Sequence, residues 1–141
     1  MKKYTLGFVF NDSLKRVALM EKKRPDWQKG RLNGVGGKIE PGESSIACIV
    51  REVREESGLE SKSRDWTHIA LLKGLDWKMD VYAYSHKGKE SAVHTLTDEK
   101  VRWFDVMRLP RTALANVPWL VNLSKDKLLN NEFRECIVTY R

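Results

Sequence analysis

The segment from residue 37 to residue 59 constrains the fold of this chain more than any other stretch, because it specifies one helix together with both of its ends. Ser44 or Ser45 can cap the helix at its N-terminus through a side-chain oxygen. Gly58 suits the left-handed position that commonly ends a helix. We therefore predict a helix over residues 44–57 with a loop on either side.

The two faces of this helix differ in chemistry. Apolar residues recur at the spacing that buries one side of a helix: Ile46, Ile49, Val50 and Val53. The opposite face carries Glu52, Glu55 and Glu56, whose like charges repel one another at three- and four-residue spacing. These acids either form an ordinary solvated surface or hold a divalent cation, which takes carboxylate oxygens as ligands and commonly carries a phosphate chain.

The spacing of residues 37–59 resembles the Nudix box, G-x5-E-x7-R-E-U-x-E-E-x-G-U, in which U is a bulky aliphatic residue. All nine defined positions are filled: Gly37, Glu43, Arg51, Glu52, Val53, Glu55, Glu56, Gly58 and Leu59. So complete a match is far more specific than a short glycine motif, and it favours the metal site over the solvated surface. The resemblance implies a Nudix hydrolase, an enzyme that cleaves phosphoanhydride bonds in nucleoside diphosphate derivatives.

The resemblance also implies roles for the box residues. Glu56 and Glu52 would bind the main Mg²⁺ or Mn²⁺ ion together with the carbonyl of Gly37. Glu55 would join a second metal ion. Arg51 would orient one of the carboxylates, which makes these residues the expected catalytic centre.

Two further roles lie partly outside the helix. Lys38 would contact a phosphate. Hydrolysis also needs a base that deprotonates the attacking water, and Glu52 is one candidate. The resemblance implies that a late glutamate often serves as the base, and Asp98 and Glu99 are the acids in the appropriate region. The sequence does not choose among the three, and the last two also fit simple turn positions.

Length and composition fit a single domain over residues 1–141. The chain is 41% hydrophobic and 32% charged, values typical of soluble globular proteins. No apolar run approaches the ~20 residues of a membrane span. Cys48 and Cys136 have neither metal-ligand spacing nor a disulfide pattern, so we expect a reduced, cytoplasmic setting. Composition leaves open whether the protein is a monomer or a homodimer.

Hydrophobic patterning predicts an α/β fold. Strands are expected at residues 3–10, 16–21, 34–39, 65–73, 78–85, 100–104 and 134–140, and a second helix at residues 116–129. Such elements form a mixed sheet between helices. The family resemblance makes this expectation specific, since it implies the Nudix α/β/α sandwich, in which the box forms a loop–helix–loop.

The net charge of +7 is unevenly distributed. Residues 40–60 hold six glutamates against two arginines, whereas residues 15–31 hold seven basic residues against two acidic ones. An acidic pocket beside a basic loop suits a metal–polyphosphate ligand. A basic chain also admits nucleic acid as a partner, but no aromatic-interleaved basic run is present. The sequence therefore favours a small nucleotide as substrate, and no membrane partner is expected.

The loop over residues 22–38 resembles that of MutT-type Nudix enzymes, which hydrolyse oxidised purine nucleoside triphosphates such as 8-oxo-dGTP. The resemblance implies that Asn33 hydrogen-bonds the purine, a task suited to an amide because it offers a donor and an acceptor. Trp27 would stack on the base and Arg24 would bind the substrate. Asn33 and Trp27 also have plain structural explanations, as a turn residue before glycine and as a core aromatic.

The resemblance fails in one later segment. Mammalian enzymes of this type carry a Trp-Pro-Asp-Asp stretch after a Trp-Phe strand, and here Trp103-Phe104 is followed by residues 113–120, which lack the acidic pair. Asn116 or Trp119 would have to replace it. Another nucleoside triphosphate, a nucleotide sugar, a dinucleoside polyphosphate or an RNA 5′ end thus remains an alternative substrate. A non-catalytic nucleotide-sensing module is least favoured, because the box is intact.

Overall fold

The computed structural model describes every residue from Met1 to Arg141. Eight strands form one mixed sheet: β1 (Lys2–Asn11), β2 (Arg16–Glu21), β3 (Leu32–Asn33), β4 (Val35–Lys38), β5 (Thr67–Lys73), β6 (Trp77–His86), β7 (Val101–Asp105) and β8 (Ile137–Thr139). The helices are α1 (Ser45–Ser57) and α2 (Val117–Asn130). The predicted α/β class is confirmed.

Strand β1 occupies the centre of the sheet. The strand order is β3-β2-β1-β6-β5-β8, with β4 paired to β1 and β7 paired to β2. β1 runs parallel to β6 from the pair Lys2 and Trp77 to the pair Asn11 and His86, and antiparallel to β4. Because β1 has partners on both sides, residues 5–10 are all buried.

The alternating side chains of β1 divide the core into two layers. Leu6, Phe8 and Phe10 face α2, which contributes Val117, Leu120 and Val121 to the larger cluster. Val9 belongs to the second cluster with Ile49 and Val53 of α1. Since α1 and α2 pack on opposite faces of the sheet, the α/β/α sandwich is confirmed. No helix in the chain has the length and hydropathy needed to cross a membrane.

Most predicted element boundaries agree with the structure to within two residues. The strand expected from residue 65 begins at Thr67, because Ser63–Asp65 form a 3₁₀ turn in which the Asp65 carboxylate accepts the Lys62 N–H at 2.8 Å. The last strand is shorter than expected, Ile137–Thr139. The loop over residues 22–33 also contains a 3₁₀ turn, Asp26–Gln28, and strand β3.

Candidate active site

Helix α1 is fixed at both ends by the residues that the sequence suggested. The Ser44 hydroxyl accepts the backbone N–H of Ala47 at 3.2 Å, which makes Ser44 the N-cap. Gly58 has φ = 76° and donates its N–H to the Arg54 carbonyl at 2.9 Å. The left-handed conformation is nearly free of strain only for glycine. The rotation of α1 about its own axis, and hence the direction of its acidic face, is set by this frame.

The buried stripe of α1 is displaced slightly from the predicted one. Ile49 and Val53 are fully buried as expected, but Ile46 and Val50 are only partly buried. Cys48 is buried instead, and its sulfur lies 3.2 Å from the hydroxyl of Thr5 on β1. The thiol thus belongs to the contact between α1 and the sheet, which is consistent with its lack of metal-ligand spacing.

Glu52 lies directly against the backbone of Gly37. A methyl group placed on Gly37 would come within 2.6 Å of the Glu52 carboxyl carbon, so only glycine leaves room for this side chain. Glu52 is also largely buried, with 13% of its side chain exposed. The close approach brings a carboxylate to the backbone at the end of β4, as the box pattern predicted.

Glu56 has a buried carboxylate oxygen that lacks a partner. Its Oε2 atom is inaccessible and makes no hydrogen bond. Burial raises the pKa of Glu56 to about 8, assisted by a hydrogen bond and charge repulsion from Glu52, while the charge of Lys22 opposes the rise. A buried, unsatisfied carboxylate oxygen is costly. A divalent cation would satisfy it and would favour the ionised form.

Arg51 ties the acidic residues together. Its Nε and Nη2 atoms donate to the two Glu43 oxygens at 2.7 and 2.9 Å. Its Nη1 atom donates to Glu52 at 2.9 Å and to Glu55 at 3.2 Å. Hydrogen bonds from Arg51 lower the pKa of Glu43 to about 2. The bidentate pair with Glu43 and the bonds to Glu52 and Glu55 hold the Arg51 guanidinium in one position among the carboxylates.

These residues fit an oxygen-ligated divalent cation in part. Glu52 and Glu56 meet near the Gly37 backbone, and the free oxygen of Glu56 is the strongest indication of a cation site. Glu55 is half-exposed and turned toward Arg51. No three acidic, thiol or imidazole side chains are already gathered around one point. Mg²⁺ tolerates this arrangement, because it retains several waters and needs only one or two carboxylates.

The two late acidic residues have different surroundings. Glu99 is buried and accepts the Lys23 backbone N–H at 2.8 Å, and its carboxylate lies 3.2 Å from the Lys22 ammonium. Asp98 is exposed and forms a bidentate pair with Arg24 at 2.5 and 3.2 Å. The Arg24 hydrogen bond lowers the pKa of Asp98. Glu99 is therefore held in the protein interior by Lys22 and the Lys23 backbone, whereas Asp98 faces solvent.

A large cavity lies on the α2 face of the sheet. Its volume is about 890 Å³, near the upper end of the range for small-molecule sites. Aromatic residues line much of it: Tyr4, Trp27, Trp77, Trp119 and Tyr140. Amide side chains supply the uncharged polar groups: Gln28, Asn33 and Asn116. The lining contains no acidic pair, as the sequence of residues 113–120 indicated, and Asp76 is its acidic residue.

The predicted substrate-binding residues are only partly brought together. Asn33, Trp27 and Asn116 all line the cavity. Trp27 is not a core residue, because 72% of it is exposed at the rim. Arg24 lies outside the lining and is engaged by Asp98. The exposed Lys38 donates no side-chain bond to the protein, although its carbonyl accepts from Arg51 at 3.3 Å.

Three functional candidates were missed by reasoning from the sequence. Lys22 looked like one of several cations in a basic loop, and only burial beside Glu99 distinguishes it. Trp77 and Tyr140 pack against each other in the cavity wall, with ring centroids 5.5 Å apart and ring planes tilted by 44°. Tyr140 had one available signal, since it alternates with Cys136 and Val138 and all three pack against the core on the α2 side.

In a comparison with known protein families, residues 2–124 of this chain match the family model described as the NUDIX domain. An oxidized purine nucleoside triphosphate hydrolase of Danio rerio is 34% identical over 100 residues, which cover 67% of this chain and 62% of the relative. The enzyme of the same name from Mus musculus is 33% identical over 109 residues, covering 76% and 68%. The chain thus spans somewhat under two thirds of the fish relative.

A second kind of relative is also similar. An NAD-capped RNA hydrolase NudC from Pseudomonas putida is 31% identical over 86 residues, covering 61% of this chain and 31% of the relative. Among solved structures, the MutT protein from Bacillus halodurans aligns with a TM-score of 0.72 at 20% identity, covering 99% of this chain and 90% of that one. At this identity the structural likeness establishes the fold alone.

Proposed function

We propose that this chain, which belongs to the NUDIX domain family, hydrolyses phosphoanhydride bonds as a Mg²⁺-dependent nucleoside triphosphate pyrophosphohydrolase. We propose further that it acts on oxidised purine deoxynucleotides such as 8-oxo-dGTP and releases the nucleoside monophosphate and pyrophosphate. The similarity to two oxidized purine nucleoside triphosphate hydrolases supports the substrate class.

The observation that carries this proposal is that a short segment of chain connects a cavity residue to the acidic centre. Asn33 lines the cavity, and the chain continues through β4 to Gly37, against which Glu52 packs. Four residues of extended chain span about 13 Å, a distance comparable to the reach from a nucleobase to its phosphates. One nucleotide could therefore place its base in the cavity and its phosphates at Glu52 and Glu56.

The residues that would hold the metal are Glu52, Glu56 and the carbonyl of Gly37, with Glu55 available for a second ion. A bound divalent cation would neutralise phosphate charge and lower the pKa of a bound water. Arg51 keeps the Glu52 carboxylate in place through its 2.9 Å bond. Its pairing with Glu43 prevents it from swinging into the site, so its role is to orient Glu52.

We assign the proton-accepting role to Glu99 or Glu52. Glu99 is buried next to Lys22, whose charge also acts on Glu56. Lys22 therefore links the late glutamate to the metal-binding carboxylate. Asp98 is engaged by Arg24 at the surface, and we do not assign it a catalytic role.

The cavity offers uncharged groups for reading a base. The Asn33 side-chain oxygen accepts the Gly34 N–H at 2.9 Å, and its amide nitrogen lies 3.4 Å from Gln28. These contacts fix the direction of the amide and leave a second lone pair and a second N–H available. Trp27 at the rim is accessible to stack on a base. Asn33 and Trp27 are therefore our candidates for base recognition.

A second function deserves a direct test because of the NudC relative. The same acidic centre would serve a dinucleotide or an RNA 5′ end, and the 890 Å³ cavity exceeds the needs of a single base. A nucleotide sugar is a further possibility for the same centre.

The deciding experiment is hydrolysis of a nucleotide panel with Mg²⁺, scored for pyrophosphate against phosphate. The panel holds 8-oxo-dGTP, dGTP, 2-hydroxy-dATP, CTP, dUTP, ADP-ribose, a dinucleoside tetraphosphate and NAD-capped RNA. Release of pyrophosphate, fastest from an oxidised purine, is the expected result. Preference for ADP-ribose, the dinucleotide or the capped RNA would overturn the assignment of Asn33 and Trp27 while retaining the acidic centre.

Two contextual proposals complete the assignment. Both thiols, Cys48 and Cys136, are free, which supports a reducing, cytoplasmic location. Oxygen donors alone at the acidic centre suit Mg²⁺ or Mn²⁺ as the resident ion, and we propose Mg²⁺.

A further inference from the structure

We propose that Tyr140, which follows the C-terminal strand β8, is a specificity-determining residue of the cavity and that it acts by positioning the Asn116 amide. This inference rests on the proposed function, because it assumes that a nucleobase occupies the cavity. Nothing in the family match includes Tyr140, since that match ends at residue 124. The contacts of β8 and of Asn116 carry the argument.

Strand β8 brings Tyr140 to the cavity in a fixed position. β8 runs parallel to β5 with Leu72 opposite Val138. The Leu71 N–H donates to the Cys136 carbonyl and the Tyr140 N–H donates to the Lys73 carbonyl, both at 2.8 Å. Because side chains alternate along a strand, Tyr140 shares the α2 face with Val138 and faces the cavity.

Asn116 behaves unlike an ordinary helix cap. It occupies the N-cap position of α2, where an asparagine side chain usually accepts a backbone N–H, but its side chain makes no such bond. Instead its amide nitrogen donates to the Tyr140 hydroxyl at 3.5 Å. Asn116 therefore lacks the stabilising cap bond, and its amide points toward Tyr140 and the cavity.

The resulting pair presents complementary groups. With one N–H donated to the Tyr140 oxygen, the Asn116 amide keeps its second N–H and its carbonyl oxygen free to pair with a base. A donor and an acceptor side by side are what the edge of a nucleobase requires. The Tyr140 ring, 5.5 Å from Trp77, adds an aromatic wall. This uncharged pair takes the place of the acidic pair that is missing from residues 113–120.

The test compares Tyr140→Phe with Tyr84→Phe. Tyr84 is a matched control, because it is also partly buried and packs on a tryptophan, Trp66, at 5.4 Å, but on the α1 side of the sheet. Steady-state kinetics on 8-oxo-dGTP, dGTP and CTP give kcat and KM separately. Tryptophan fluorescence, titrated with the corresponding nucleosides without Mg²⁺, measures binding independently of hydrolysis.

We expect Tyr140→Phe to raise KM for the preferred base about 2- to 10-fold, the effect of one lost hydrogen bond, with kcat unchanged and the ratio between bases altered. Tyr84→Phe should change neither. In the Asn116→Ala background, Tyr140→Phe should have little further effect, because the hydroxyl acts through the amide. Thermal melts of all variants control for folding.

Three outcomes would overturn the inference. The first is equal KM values and base ratios in Tyr140→Phe and Tyr84→Phe. The second is full additivity with Asn116→Ala, which would show that the hydroxyl does not act through the amide. The third is a wild-type protein that binds no nucleoside. If nucleosides bind in a Tyr140-dependent way but no triphosphate is hydrolysed, the proposed function fails and the inference about Tyr140 stands.

Discussion

Glu56 lies one turn from Glu52 on the same face of α1, where Glu52 helps raise the pKa of Glu56, and the Glu56 Oε2 atom is buried without a partner. Two neighbouring carboxyl groups cannot both ionise without cost unless a cation lies between them. The pair therefore destabilises the metal-free protein, and a bound metal ion would relieve this cost. The first three predictions follow from this relationship.

Replacing Glu56 with glutamine should abolish turnover and leave the fold intact. Because Glu56 has a pKa of about 8, it is mainly protonated at neutral pH, and a glutamine resembles the protonated acid in size and polarity. The variant should lose Mg²⁺ binding and at least about 100-fold in kcat. Enzyme assays and thermal melts check both parts, with the exposed Glu60→Gln as control. Residual full activity in Glu56→Gln would refute the metal assignment.

The metal-free protein should lose stability as the pH rises toward 8. The raised pKa of Glu56 means that native Glu56 keeps its proton between 4.5 and about 8, where the unfolded carboxyl is already ionised. The native state thus binds more protons, so the free energy of unfolding decreases with pH across this window. Thermal melts in EDTA should show that the Tm of the wild type falls with rising pH relative to the Tm of Glu56→Gln.

The same linkage affects Mg²⁺ affinity. Ion binding must displace the Glu56 proton, so the apparent affinity should rise with pH up to about 8. Calorimetry in buffers of different ionisation enthalpy would detect the released proton. A Mg²⁺ affinity that is constant over this window would show that Glu56 is already ionised in the metal-free protein.

Much of the fold followed from the sequence because its signals are local. The caps Ser44 and Gly58, and the alternation in β1, determine elements through neighbouring residues. Pairings between residues distant in the chain were harder to predict from the sequence. Arg24, a predicted substrate contact, pairs with Asp98, 74 residues away, and the sequence pattern carries no sign of this ion pair. Tyr140 reaches the cavity only because β8 pairs with β5.

Arg51 should be necessary for both stability and catalysis. Removing it in Arg51→Ala leaves the Glu43, Glu52 and Glu55 carboxylates without their shared donor, and lost hydrogen bonds between charged groups cost about 1.5–3 kcal/mol. Arg51→Lys keeps the charge but cannot form the bidentate bond, so it should be intermediate. Urea denaturation and kcat measure the two effects. Arg54, exposed on the same helix, supplies the control variant Arg54→Ala, and equal losses in both positions would contradict an orienting role.

The Asn33 amide should govern recognition of the base. Asn33→Ala should raise KM for purine substrates by the equivalent of about 1–3 kcal/mol, because a buried polar partner is left unpaired. The exposed Asn122→Ala on α2 controls for a general effect of removing an amide. Since Asn33 also accepts the Gly34 N–H, a melt must accompany the kinetics. An unchanged ratio of purine to pyrimidine activity would exclude Asn33 as the base reader.

Asp98 and Glu99 are adjacent in the sequence, so substitutions at the two positions can be compared to identify the catalytic base. Glu99→Gln should lower kcat on the order of 100-fold if Glu99 accepts the proton of the attacking water. Asp98→Asn should leave kcat unchanged, because Asp98 is exposed and held by Arg24. The alternative is that Glu99 only anchors the loop through Lys22 and the Lys23 N–H. Anchoring predicts a higher KM and a lower Tm with little change in kcat, and that result would leave Glu52 as the base.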